Sequence, residues 1–128
     1  MPPRILIVDD DHTLADVLSV ALRRAGYDAR VAYDGQRALQ ILHQEPFDLV
    51  LLDVIMPNMD GLEVCKRIRS DPQISHVLVL LFTALTLRAE MRDARKSGAD
   101  GFITKPAVVR EVVLRIQALL ARGQTGRE

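Results

Sequence analysis

The sequence has one cysteine in 128 residues, no excess of either charge, and no apolar run long enough to span a bilayer. Each absence removes a class of protein. Cys65 has no partner in the chain for a disulfide, and nothing beside it suggests a metal site or a nucleophile; its apolar helical setting reads as a packed core thiol. Lysine plus arginine equals aspartate plus glutamate, 17 of each. That balance argues against a nucleic-acid-binding surface spread over the whole domain, which would leave a basic excess, though a local patch stays open. Met1-Pro2-Pro3-Arg4 runs straight into Ile5-Leu6-Ile7-Val8 and then three acids. This is neither a signal-peptide core nor a membrane span, so the protein is expected to be cytoplasmic and away from membranes. No repeat or low-complexity segment interrupts the chain. What remains is 48% apolar and 27% charged, the composition of a globular domain long enough for one hydrophobic core. Only Gly123 to Glu128 reads as a polar, disordered tail, so one domain is expected over residues 1–122.

Short apolar runs recur at Ile5–Val8, Ala29–Ala32, Leu49–Leu52, Val77–Phe82 and Gly101–Thr104. The first, third and fourth are continuous, the pattern of strands covered on both faces. Helical periodicity fills the gaps. Leu14, Val17, Leu18, Ala21, Leu22 and Ala25 form one stripe, with Thr13 and Asp16 to cap its start and Gly26 to stop it. A second helix is expected from about Asp34 to Gln44, before Pro46. A third starts at Asp60, with Glu63 in the capping-box place. A fourth, about Thr86 to Ser97, is dense in charge and has a thin stripe of Leu87, Met91 and Ala94. The fifth carries Val109, Val112, Val113, Ile116, Leu119 and Leu120 on one face. Five βα units with short loops predict an α/β fold. It is a flavodoxin-like, doubly wound (βα)5 three-layer sandwich, with a parallel five-stranded sheet in the order 2-1-3-4-5. In such a sheet ligands collect beyond the carboxyl ends of the strands, at the switch point between strands 1 and 3.

The chemistry-bearing residues stand at those ends. Asp9-Asp10-Asp11 follow the first strand and Asp53 the third. Thr83-Ala84 end the fourth strand, and Lys105-Pro106 the fifth. Two adjacent acids at a buried strand end are unfavourable without a partner. Carboxylates held together would force one to take a proton at neutral pH unless a cation were present. Mg²⁺ suits such a site, because it accepts one or two carboxylates, keeps several waters and takes further oxygens from a phosphate. With Asp9, Asp10, Asp53, one Mg²⁺ and the Lys105 ammonium, the formal charges cancel. Taken alone, Asp11 reads as a cap, Thr83 as a turn residue and Lys105 as a surface lysine; their coincidence on successive strand ends points to one site.

Four segments in order carry a resemblance: Ile5 to Asp11, Asp53-Val54-Ile55-Met56-Pro57-Asn58-Met59-Asp60-Gly61, Thr83-Ala84, and Gly98 to Pro106. Over roughly residues 4 to 122 the chain resembles a response-regulator receiver domain of two-component signalling. The resemblance implies that Asp53 takes a phosphoryl group from a phosphohistidine on a histidine kinase or phosphotransfer protein. It implies direct Mg²⁺ ligation by Asp10, Asp53 and the Ile55 carbonyl, with Asp9 acting through water. Lys105 would pair first with Asp53 and then with the phosphoryl group. The Thr83 hydroxyl and Ala84 amide would meet the new phosphate. Phe102 would be the switch aromatic that turns inward, and Lys105-Pro106 a cis peptide. Output would pass to a downstream protein or a fused output domain, without direct nucleic-acid contact by this domain.

Some positions depart from common family usage. Leu78 stands where the fourth strand often begins with proline, and Phe102 lacks the hydroxyl of the tyrosine variant. Ile55 and Leu85 are apolar and are placed to shield the phosphate from water. A second apolar row on the fifth helix, Leu114, Ala118 and Ala121, reads either as ordinary scattered exposure or as a dimer surface formed with the fourth helix and fifth strand. Two other function classes compete with this reading. Asp9-Asp10-Asp11-His12-Thr13 also fits the DxDxT pattern of haloacid-dehalogenase-like phosphatases, with Asp9 as nucleophile, but that reading leaves Asp53 to Gly61 unexplained. A receiver-like interaction module that is never phosphorylated is disfavoured by the complete acid set with Thr83 and Lys105.

Overall fold

Branched aliphatic residues fill both faces of the apolar runs, and in the computed structural model those runs are strands with a helix layer on each side. The structure describes residues 2–84 and 88–125, without the side chains of 88–91 and 123–125. The strands are β1 (Arg4–Val8), β2 (Asp28–Ala32), β3 (Leu49–Leu52), β4 (Leu78–Thr83) and β5 (Gly101–Thr104). All pair in parallel, in the order β2-β1-β3-β4-β5. Between and after them lie α1 (His12–Arg24), α2 (Gly35–Gln44), α3 (Gly61–Ser70), α4 (Arg88–Lys96) and α5 (Val109–Thr125). The expected flavodoxin-like order is the observed one.

Period-two alternation divides each central strand between two cores. Leu6, Val8, Val50, Leu52, Val79 and Leu81 face α2 and α3, where Ala38, Ile41, Val64 and Ile68 meet them. Ile5, Ile7, Leu49, Leu51, Leu80 and Phe82 face α1 and α5, against Leu18, Leu22, Val112 and Ile116. Cys65 is a buried core thiol, as expected, and its Sγ donates to the Ser97 carbonyl at 3.3 Å.

The helix ends follow local chemistry. Asp34 and Asp60 cap α2 and α3 by accepting from Arg37 N and Glu63 N. Glu63 pairs with Arg67 one turn on. Gly26, with φ of 98°, follows the end of α1, a conformation that a residue bearing Cβ adopts only with strain. Three expectations need correction. Neither Thr13 nor Asp16 caps α1: Thr13 lies inside the helix, and Asp11, whose reading as a cap holds, accepts from Leu14 N at 3.1 Å. The stripe of α1 is rolled: Ala15, Leu18, Ser19 and Leu22 are buried, whereas Val17 is 48% exposed and Ala25 is exposed. Ser19 tolerates burial because its hydroxyl donates to Asp16 O at 2.8 Å. Finally, α5 continues to Thr125, past the expected tail boundary at Gly123. On α4 only Ala94 of the expected stripe can be placed, and it is buried; Leu87, the Met91 side chain and residues 126–128 lie outside the described residues.

Candidate functional site

Parallel pairing brings the ends of β1 and β3 side by side, with Val8 opposite Leu52. The next residues are Asp9 and Asp53. The backbone holds both in place, since Asp53 N donates to Val8 O at 2.9 Å and Asp9 N to Ala32 O at 3.2 Å. Asp9 and Asp53 are buried, while Asp10 is exposed at the rim. One oxygen from each of the three carboxylates lies within 4.8 Å of the others.

The turn after β3 is shaped around Asp53. Ile55 N donates to Asp53 Oδ1 at 3.2 Å, and Gly61 N returns to Val54 O at 2.9 Å. Asn58 takes a φ of 71° within this turn. A Cβ on Gly61 would stand 2.1 Å from the Asp53 carbonyl oxygen, so only glycine lets α3 begin this close to the site.

Lys105 reaches in from the end of β5. Its Nζ donates to Asp9 Oδ2 at 2.9 Å and lies 3.4 Å from Asp53 Oδ2. Its backbone N–H donates to Thr83 O at 2.7 Å, and the Lys105-Pro106 peptide is cis, as the resemblance implied. Thr83 is buried at the end of β4 and pairs in register with Thr104; Ala84 follows it at the surface. Phe102 sits half-buried on β5, packed against the α2/α3 core, with the Arg95 guanidinium 5.6 Å from its ring centroid. Ile55 is 57% exposed beside Asp53, and Leu85 lies outside the described residues.

The electrostatics are those of an under-compensated acid cluster. Burial, reinforced by the Asp9 charge, raises the Asp53 pKa to about 6, against the pull of Lys105 and the Ile55 N–H. Burial disfavours the Lys105 ammonium, but the Asp9 bond and the field of Asp53 outweigh it, so its pKa is raised. Three carboxylates face one ammonium, which leaves two negative charges uncompensated when all are ionised. An all-oxygen donor set with that deficit fits a hard divalent cation.

Two aromatic contacts beside the site are not apparent from the sequence. Phe82, counted only as part of an apolar run, has the Lys105 ammonium over its ring at 5.0 Å. Next to the acids, His12 stacks on Tyr33 with ring centroids 3.7 Å apart, and Tyr33 Oη donates to Asp16 at 2.8 Å. An aromatic immediately before a site residue on a strand was the available signal for Phe82. Nothing local signalled the His12–Tyr33 pair, which depends on β2 lying beside β1.

The sequence matches the response regulator receiver domain over residues 5–117. The chain belongs to that family. The receiver domain is 42% identical over 120 residues to the DNA-binding dual master transcriptional regulator RpaA of Synechocystis, covering 94% of this chain and 50% of that protein. It is 40% identical over 124 residues to the DNA-binding response regulator MtrA of Mycolicibacterium smegmatis, covering 97% and 53%. The chain thus spans about half the length of these curated relatives. Among solved structures, the CheY-like receiver domain protein of Methanospirillum hungatei superposes with a TM-score of 0.92 at 26% identity, covering 98% of this chain and 99% of that one. These matches support a receiver domain acting as a phosphoacceptor signalling switch, and do not favour the dehalogenase-like phosphatase. Among the described residues, no helix is long and apolar enough to cross a membrane.

Proposed function

We propose that the five βα units, with α5 running to Thr125, form a Mg²⁺-dependent receiver unit in which Asp53 accepts the phosphoryl group. The observation that carries this reading is the meeting of three carboxylates within 4.8 Å, with the Lys105 ammonium bridging Asp9 and Asp53. Asp10, Asp53 and the Ile55 carbonyl would hold Mg²⁺, with Asp9 acting through water; the ion would supply charge neutralisation at the phosphoryl oxygens. The chain's own residues do the rest. An ionised Asp53 oxygen forms a bond to phosphorus in line with the departing group. With a phosphohistidine donor the P–N bond breaks and its electron pair stays on the imidazole. Lys105 moves its charge onto a phosphoryl oxygen, and the Thr83 hydroxyl and Ala84 N–H, from the adjoining strand end, meet another. Phe102 is the aromatic that responds when Thr83 moves. Ile55, standing exposed beside Asp53, limits the approach of water to the product. The domain would thereby promote its own phosphorylation and dephosphorylation without turning over a separate substrate.

The donor is a histidine kinase or phosphotransfer protein in the cytoplasm. Output passes to a downstream protein or a fused output domain, with no nucleic-acid contact by the receiver itself. That both curated relatives are described as DNA-binding, and are about twice as long, supports the fused arrangement. The test is labelling by acetyl phosphate with Mg²⁺, read by intact mass and peptide mapping. The wild-type chain gains one phosphoryl group at Asp53 and Asp53→Asn gains none; equal labelling of the variant at another residue defeats the assignment.

Leu114, 52% exposed on α5 with Ala118 and Ala121 beside it, supports a phosphorylation-dependent homodimer through α4, β5 and α5. Light scattering with and without beryllofluoride should show a mass increase in the activated state. A monomer in both states over a wide concentration range removes the dimer.

A further inference from the structure

Lys105 has a third neighbour besides the two carboxylates. The ring centroid of Phe82 lies 5.0 Å from its Nζ, inside the roughly 6 Å reach of a cation–π attraction. Phe82 is buried in the α1/α5 core and immediately precedes Thr83 on β4. Because the Lys105 N–H is bound to Thr83 O, the lysine stem leaves β5 across the end of β4. There the ammonium sits over the Phe82 ring, 2.9 Å from Asp9 and 3.4 Å from Asp53.

We infer that Phe82 is a positioning residue for Lys105, its ring face holding the ammonium beside Asp53 whatever the charge on the carboxylates. The inference rests on the phosphoryl-transfer role proposed for that site. The carboxylate contacts are conditional. One Asp53 oxygen becomes bonded to phosphorus during transfer, and Asp9 is shared with any cation in the acid cluster. The quadrupole of the ring changes with neither event. A buried aliphatic side chain would fill the same core volume but offer the ammonium no attraction. The lysine stem is flexible and its charge strongly hydrated, and with 21% of the side chain exposed water competes for it throughout. The ring limits that escape, so the ammonium is already in place when negative charge develops on the phosphoryl oxygens.

The experiment replaces Phe82 in the full chain by 4-fluoro-, 3,5-difluoro- and 3,4,5-trifluorophenylalanine. This series empties the ring face of negative potential with little change in shape. The readout is the initial rate of Asp53 phosphorylation by acetyl phosphate in saturating Mg²⁺, followed by intact mass, with melting temperature measured alongside. The rate should fall stepwise, by about three- to tenfold at the trifluorinated ring, while the melting temperature hardly moves. F82L should lose at least as much. The same series at Phe47, which carries Arg4 over its ring at 4.8 Å near the opposite end of the sheet, should leave the rate unchanged. A flat Phe82 series, with the wild-type chain labelled at Asp53, overturns the positioning role alone, and slowing in F82L with a flat series would assign Phe82 to packing only. A wild-type chain that takes no label at Asp53 overturns the site reading and this inference with it.

Discussion

Asp53→Asn should stabilise the metal-free protein, and the gain should depend on pH. In the native cluster the Asp53 pKa rises from 3.8 to about 6, chiefly through burial and then through the Asp9 charge. Each unit corresponds to about 1.4 kcal/mol, so keeping Asp53 ionised in the folded chain costs about 3 kcal/mol at neutral pH. Asparagine removes that charge at nearly constant shape. Lys105 loses one of its two carboxylates, which offsets part of the gain, and about 1–3 kcal/mol should remain. For a chain of this size that is roughly 5–10 °C in melting temperature. The folded state binds this proton more tightly than the unfolded state, so the penalty is nearly absent at pH 4 and complete above about pH 7. The chain has no tryptophan, so circular dichroism in a chelating buffer is the suitable assay, at pH 4 and pH 7.5. The variant should melt higher at pH 7.5 and lose most of that advantage at pH 4. Adding Mg²⁺ at pH 7.5 should then raise the wild-type melting temperature more than that of the variant. An Asn variant no more stable than wild type at pH 7.5, or equally favoured at both pH values, refutes the reasoning.

Two further outcomes follow from the geometry. Gly61→Ala puts a Cβ 2.1 Å from the Asp53 carbonyl oxygen, so the start of α3 must shift; a loss of about 2–4 kcal/mol is expected by urea titration, and an unchanged midpoint would show that the turn relaxes freely. His43 places Nδ1 2.7 Å from Leu39 O and Nε2 2.5 Å from Asp71 Oδ2, two acceptors that only the imidazolium can satisfy together. The Asp71 bond, then the Leu39 carbonyl, raises the His43 pKa; its contribution is therefore present below about pH 6.5 and lost as pH rises through the folded value. His43→Gln should lower the melting temperature more at pH 5.5 than at pH 8.5, and the opposite trend would disprove the ion pair.

Much of the fold was legible because its causes are local. Continuous β-branched and leucine runs announce strands covered on both faces; Asp34 and Asp60 mark helix starts by side-chain capping, and Gly26 a helix end by its backbone freedom. The roll of α1 was not legible. Its apolar residues, Leu14, Ala15, Val17, Leu18, Val20, Ala21 and Leu22, exceed what one face can bury, so periodicity alone leaves its orientation open by part of a turn. Packing against the sheet and α5 chooses the face centred on Leu18 and Leu22, and Val17 and Val20 remain at the surface.

The sequence by itself determined that acids, a threonine and a lysine stand at successive strand ends, because strand and turn patterns are read along the chain. Only the tertiary structure decided how those residues share charge. Burial of Asp9 and Asp53 with Asp10 at the rim, the Lys105 bridge and the Phe82 ring beneath it all depend on which strand lies beside which. Electrostatic energies vary with distance and burial, and neither quantity exists until the chain has folded.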